Sequence, residues 1–211
     1  FIEKQMDACL SDIGVDAIKI GMVHKAEIFD IIFNILQKFD IINDNDVKIV
    51  LDPVMFAKGG QPLLEKEAVV SLKKFIKKTK PILTPNIPEA EILSQTKIHS
   101  KNDMIKSGET IMKMGVENLI LKGGHLSGNK LSDLIFFQKQ KYHEICSERV
   151  KTNNTHGTGC TLSSAIAANL TKSYDIIKAT TIAHDYVLNA IKKSPDLGKG
   201  QGPINHYQNF K

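Results

Sequence analysis

A chain of 211 residues with 42% hydrophobic side chains is long enough to build one α/β domain around a sizeable core. It contains no run of about eighteen apolar residues that would span a membrane, and no basic-then-apolar leader is evident. The formal net charge of +5 does not point to nucleic acid, because Lys66, Lys73, Lys74, Lys77, Lys78 and Lys80 supply much of the excess, and a lysine-rich helix face is a solvated surface.

Residues 1–13 (FIEKQMDACLSDI) read as helical with no strand before them. A doubly wound sheet seldom lacks its first units, so the expectation is a fold without its N-terminal strands. Strand candidates follow at 17–22 (AIKIGM), 48–51 (KIVL), 82–84 and 118–121 (NLIL). Between them, 26–39, 62–78 and 103–115 carry apolar residues at three- and four-residue spacing, the helical period. Strand and helix in alternation predict crossovers onto a mostly parallel sheet. Residues 132–150 show two strand-like runs around a polar, lysine-rich turn, which predicts an antiparallel hairpin at the sheet edge. Two helices, about 161–170 and 175–193, complete the pattern.

The chemistry-bearing motifs fall just after strands, where ligands gather in an open parallel sheet. LDPVM (51–55) places Asp52 after KIVL. TPNIPE (84–89) places Asn86 and Glu89 at the next strand end, with Pro88 suited to a helix's first turn. LKGGH (121–125) sets Lys122, Gly123 and Gly124 after NLIL. Any one of these is an ordinary turn or helix cap taken alone. Three on one sheet edge, joined by the glycine-rich NTHGTGCTLSSAIA (154–167), point to a site. In HGTGC, glycines free the backbone to turn, and successive N–H groups ahead of a helix make an anion hole. It is neither a Walker loop nor a dinucleotide fingerprint. Cys160 at that turn is favoured as a thiolate by the helix N-terminus and could accept a proton from an attacking hydroxyl. Cys9 and Cys146 read as small buried hydrophobes, and the wide, odd spacing of the three cysteines argues against a disulfide framework or zinc ribbon.

These stretches, with DAIKIGMV (16–23), AKGGQPLL (57–64) and LGKGQGPINHY (197–207), resemble the hydroxymethylpyrimidine/phosphomethylpyrimidine kinases of thiamine biosynthesis, in the ribokinase-like superfamily. The likeness spans essentially the whole chain, 1–211, as a single domain. HGTGCTLS is fairly specific, because most members of the superfamily carry Asp where this chain has Cys160. The resemblance implies a three-layer αβα sandwich that transfers the γ-phosphoryl of ATP, with Mg²⁺, to the pyrimidine's hydroxymethyl oxygen and then adds a second phosphate. On it, Cys160 is the base, and Gly157, Thr158 and Gly159 form the anion hole. Asp52 and Glu89 orient the Mg²⁺ through water, and Lys122, Gly123 and Gly124 border the ATP. Met22 and Val54 pack on the pyrimidine. It further implies a cytoplasmic homodimer acting on a small molecule, with no nucleic-acid or membrane partner. The alternatives are a pyridoxal kinase of the same superfamily and an inactive pyrimidine-sensing module.

Overall fold

The computed structural model describes residues 1–57, 59–137, 141–195, 197 and 199–207. Among them, six strands run side by side in chain order: β1 (Ala17–Ile20), β2 (Lys48–Leu51), β3 (Ile82–Leu83), β4 (Asn118–Leu121), β5 (Lys130–Phe137) and β6 (Lys141–Glu148). β1 to β4 pair parallel, and β5 and β6 add antiparallel at one edge as the expected hairpin. The lysine-rich turn expected inside that hairpin falls largely on 138–140, outside the described residues. The helices are α1 (Ile2–Asp12), α2 (Ala26–Lys38), α3 (Lys66–Thr79), α4 (Ile87–Ser94), α5 (Lys101–Met112), α6 (Thr158–Leu170) and α7 (Ile176–Lys192). None is long and apolar enough to cross a membrane.

The two-residue period of the strands divides the core into two. Leu51, Leu83, Leu119, Leu121, Leu134 and Phe136 pack with the apolar stripes of α2, α3, α4 and α5. The residues between them, Val50, Ile82, Ile120 and Ile135, meet Leu162 and Ile166 of α6 and Ala183 and Val187 of α7. Because the central strands are covered on both faces, they are continuous apolar runs rather than alternating ones. The result is the three-layer αβα arrangement. Packing is close where α5 crosses the sheet: a Cβ on Gly108 would stand 2.2 Å from the Phe136 ring.

Three helix starts differ from the sequence expectation by two residues or more. α3 begins at Lys66 rather than 62, because Leu63 donates to the Met55 carbonyl at 2.8 Å and Phe56 bridges Pro62. α5 begins at Lys101 rather than 103, directly after Ser100, whose hydroxyl caps it by accepting the Asp103 N–H. α6 begins at Thr158, so the TGC expected in the loop forms the helix's first turn. Cys9 and Cys146 are also corrected: both are exposed. α1 has no buried residue, and Cys146 lies on the outermost strand of the sheet.

Candidate active site

The carboxyl ends of the parallel strands are tied to one another beyond the last regular pairs. Asp52 N–H donates to the Ile20 carbonyl at 2.9 Å, Thr84 N–H to Leu51 at 3.0 Å, and Lys122 N–H to Pro85 at 3.0 Å. This brings residues distant in sequence onto one ledge. Asp52 is 2% exposed, and its Oδ1 accepts from Lys122 Nζ at 3.0 Å and Thr84 Oγ1 at 3.2 Å. Burial would discharge the Lys122 ammonium, but Asp52, Glu89 and Asp133 around it outweigh that penalty and hold its pKa above the usual lysine value. The pair is a salt bridge in a largely desolvated place, where a lost partner is costly.

Glu89 completes a capping box for α4. Its Oε2 accepts the Asn86 N–H at 2.8 Å, and the Asn86 side chain accepts the Glu89 N–H at 3.0 Å. Its Oε1 receives the Met55 N–H at 3.4 Å, which ties α4 to the turn after β2. Burial pushes the Glu89 carboxyl up to about 6. Lys122 and the Asn86 N–H pull the other way, and the neighbouring Asp52 charge adds to the rise.

The N-terminus of α6 rests on this ledge. Gly157 serves as its N-cap at φ 85°, a left-handed conformation that other residues adopt only with strain. Thr161 N–H closes the first helical turn on the Gly157 carbonyl at 2.9 Å. Helix-start amides have no intrahelical acceptor, and α6 has neither a side-chain cap nor an acidic residue in its first turn. That end of the helix is therefore a positive pole with no acidic residue of its own, the Thr158 N–H reaching the Thr155 carbonyl at 3.5 Å. Gly159 faces the ion pair closely: a Cβ there would stand 3.3 Å from Lys122 Nζ and 4.0 Å from Asp52 Oδ2. Ser163, one turn on, lies 3.5 Å from the same carboxylate oxygen, 3.2 Å from the Gly159 carbonyl and 3.0 Å from the Cys160 carbonyl, with one proton to donate among them.

Cys160 ends the first turn of α6 with its side chain exposed. Together with Thr161, Ser164, Ala165, Tyr186 and His206 it lines an open cavity of about 430 Å³. The loop ahead of it is held from the far end of the chain. His156 N–H donates to the Gly202 carbonyl at 3.0 Å, and a Cβ on Gly202 would stand 2.1 Å from Asn154 Oδ1.

The structure thus gathers Asp52, Glu89, Lys122, Gly157, Thr158, Gly159 and Cys160 at one end of the sheet. Gly123 and Gly124 part company. A Cβ on Gly123 would come within 2.0 Å of the Ser132 carbonyl, and its N–H donates to Asp133 Oδ1 at 2.8 Å, so Gly123 is a close-packing glycine. Gly124 is open to its surroundings. Met22, just past β1, is 56% exposed, and Val54, past β2, is half-buried. Sequence reasoning missed Thr84, Ser163 and Asp133. Asp133 had a visible signal, a carboxylate interrupting the apolar run of KLSDLIFF. Ser163 had a weaker one, its place one turn after Cys160.

Residues 1–205 match the family described as phosphomethylpyrimidine kinase. The chain belongs to the phosphomethylpyrimidine kinase family. It is 37% identical over 207 residues to the hydroxymethylpyrimidine/phosphomethylpyrimidine kinase of Bacillus subtilis, covering 98% of this chain and 74% of that one. The crystal structure of phosphomethylpyrimidine kinase from Clostridium difficile superposes with a TM-score of 0.76 at 38% identity, covering 90% of this chain and 75% of that one. The pyridoxal kinase from Staphylococcus aureus in complex with ADP gives a TM-score of 0.87 at 30% identity, over 99% and 74% of the two chains. The architecture is the ribokinase-like fold, and the family is one of phosphotransferases that use ATP on small molecules.

Proposed function

We propose that this chain phosphorylates hydroxymethylpyrimidine and then its monophosphate, giving the diphosphate for thiamine biosynthesis, with ATP as donor. The observation that carries the reading is the uncapped start of α6 resting on the buried Lys122–Asp52 pair, with Cys160 exposed in that same turn. The amides of Gly157, Thr158 and Gly159 with Lys122 would receive the oxygens of the transferring phosphoryl group, whose charge is what catalysis must stabilise. As the substrate's hydroxymethyl oxygen attacks the γ-phosphorus, the bond to the ADP oxygen breaks and Cys160, as general base, takes the hydroxyl proton.

The residues also suit a magnesium ion held through water. Among the described residues no three His, Cys, Asp or Glu side chains form a cage. Mg²⁺ bound to a nucleotide needs only one or two carboxylates, the remaining ligands being phosphate and water. Glu89 and Asp52 supply two, and Glu89 is a buried carboxyl that a nearby cation would help to ionise. The ion would supply neutralisation of phosphate charge. On this reading Gly124 borders the ATP, and Met22 and Val54 flank the pyrimidine. The chain works as one domain in the cytoplasm, a reading that three free, exposed thiols favour, and as a homodimer, which sedimentation would check.

A pyridoxal kinase is the second reading, favoured by the closer superposition on the S. aureus enzyme; the higher identity to the C. difficile kinase favours the first. Turnover of hydroxymethylpyrimidine and pyridoxal in parallel ADP-release assays separates them. The proposal expects the pyrimidine to give the larger kcat/KM. Preference for pyridoxal would overturn it, as would ADP release that neither substrate stimulates.

A further inference from the structure

Of the chain's 28 basic residues, a single one, Arg149, is arginine; the rest are lysines. Arg149 comes directly after β6 and is half-buried. Its guanidinium is spent on one loop: Nη1 donates to the Gly124 carbonyl at 3.0 Å, Nη2 to Leu126 at 2.5 Å, and Nε to Gly128 at 2.9 Å. Its own N–H donates to the Asn129 carbonyl at 2.7 Å. Those carbonyls alternate along the segment 122–129, which joins β4 to β5 and opens with Lys122, Gly123 and Gly124. The near end of the segment is pinned separately, by the Gly123 N–H on Asp133 and by Lys122 in its ion pair with Asp52.

A planar guanidinium has donors on three nitrogens facing different directions, so it can satisfy three acceptors spread over five residues at once. An ammonium presents all its donors from one atom on a flexible stem and cannot span them. The one position occupied by arginine is therefore one whose hydrogen bonding needs that fork. We infer that Arg149 is a positioning residue for the nucleotide site, holding segment 122–129 in the shape that receives ATP. This rests on the phosphotransfer reading above, because the segment begins at the ledge where the phosphates would lie. Arg149 acts through the loop's backbone carbonyls, so its loss falls on nucleotide binding and spares the pyrimidine end.

The test uses the full chain with Arg149→Lys and Arg149→Ala. Three quantities are measured: hydrogen exchange of 123–129, MgADP affinity by calorimetry, and the separate KM values for ATP and hydroxymethylpyrimidine. Both variants should exchange faster in the loop and bind MgADP about tenfold more weakly, with the ATP KM raised alike, since charge-assisted hydrogen bonds are lost in each. The pyrimidine KM and kcat at saturating ATP should stay within about twofold. Wild-type nucleotide affinity in the lysine variant would overturn the inference, since charge alone would then suffice. A looser loop with unchanged MgADP affinity would overturn it too, leaving Arg149 a structural clamp. A wild-type protein that binds no MgADP would instead overturn the kinase reading itself, and the inference with it. If the alanine variant fails to fold, the lysine variant, which keeps charge and stem, carries the comparison.

Discussion

Glu89→Gln should make the protein more stable at neutral pH while weakening its use of magnesium. The carboxyl titrates at 4.5 in an unconstrained chain and at about 6 where burial surrounds it. Below pH 4.5 both states hold the proton and the burial carries no penalty. Between 4.5 and about 6 the folded protein keeps a proton that the unfolded chain releases, so stability falls as pH rises, and above about 6 the penalty is constant. The gap between the two values corresponds to about 2 kcal/mol. Glutamine removes that penalty and can still accept the Asn86 N–H, as a capping box allows. It cannot serve Met55 as well, because its second terminal atom is a donor; losing that long 3.4 Å contact costs about 1 kcal/mol. The net gain at pH 8 is then about 1 kcal/mol. Urea unfolding of both proteins at intervals from pH 4 to 8 reads it, and the difference between the two isolates Glu89 from every other titrating group. That difference should move in favour of the variant between pH 4.5 and 6 and be flat above. A difference independent of pH, or one that moves the opposite way, would refute the argument. In turnover assays the same variant should need more Mg²⁺ for half-maximal rate, with ATP affinity less affected.

Cys160→Ala should lower kcat by roughly 100- to 10,000-fold with little change in ATP binding, and Cys160→Asp should recover part of the loss; full turnover in the alanine protein would remove the base assignment. Lys122→Met should destabilise by about 3–5 kcal/mol, because it leaves Asp52 buried without its cation, and adding Asp52→Asn should recover much of that in chemical denaturation. Gly123→Ala forces a Cβ against the Ser132 carbonyl and should cost about 1–3 kcal/mol or more, read as a lowered Tm. Gly157→Ala asks alanine to take φ 85° and should cost about 1 kcal/mol and slow phosphoryl transfer more than it weakens pyrimidine binding.

The strands at 48–51 and 118–121 were legible to the residue, because KIVL and NLIL are short apolar runs bounded by polar or turn residues. The hairpin was legible from its two β-rich runs. The start of α6 was not. Thr158 and Gly159 are poor helix formers, and two glycines around a threonine read as loop. What starts the helix there is a left-handed N-cap, a backbone property that composition does not announce. The strand-end carboxylates could be proposed as a group, but not the pairing of Asp52 with Lys122, which lies seventy residues away and depends on strand order. Cys9 and Cys146 misled because cysteine is usually buried, and neither sits on a face that meets the core.

The grip of Gly202 on the loop before α6 bears on how the protein is made. Synthesis proceeds from the N-terminal to the C-terminal side, and the six strands described above are complete once residue 148 has been added. The bond from His156 to Gly202 and the seat of Gly202 against Asn154 cannot form until more than fifty further residues have left the ribosome. A growing chain can therefore possess these strands while the turn ahead of α6 is still untethered. Competence for catalysis would arrive as a late, separate event in the life of the nascent polypeptide.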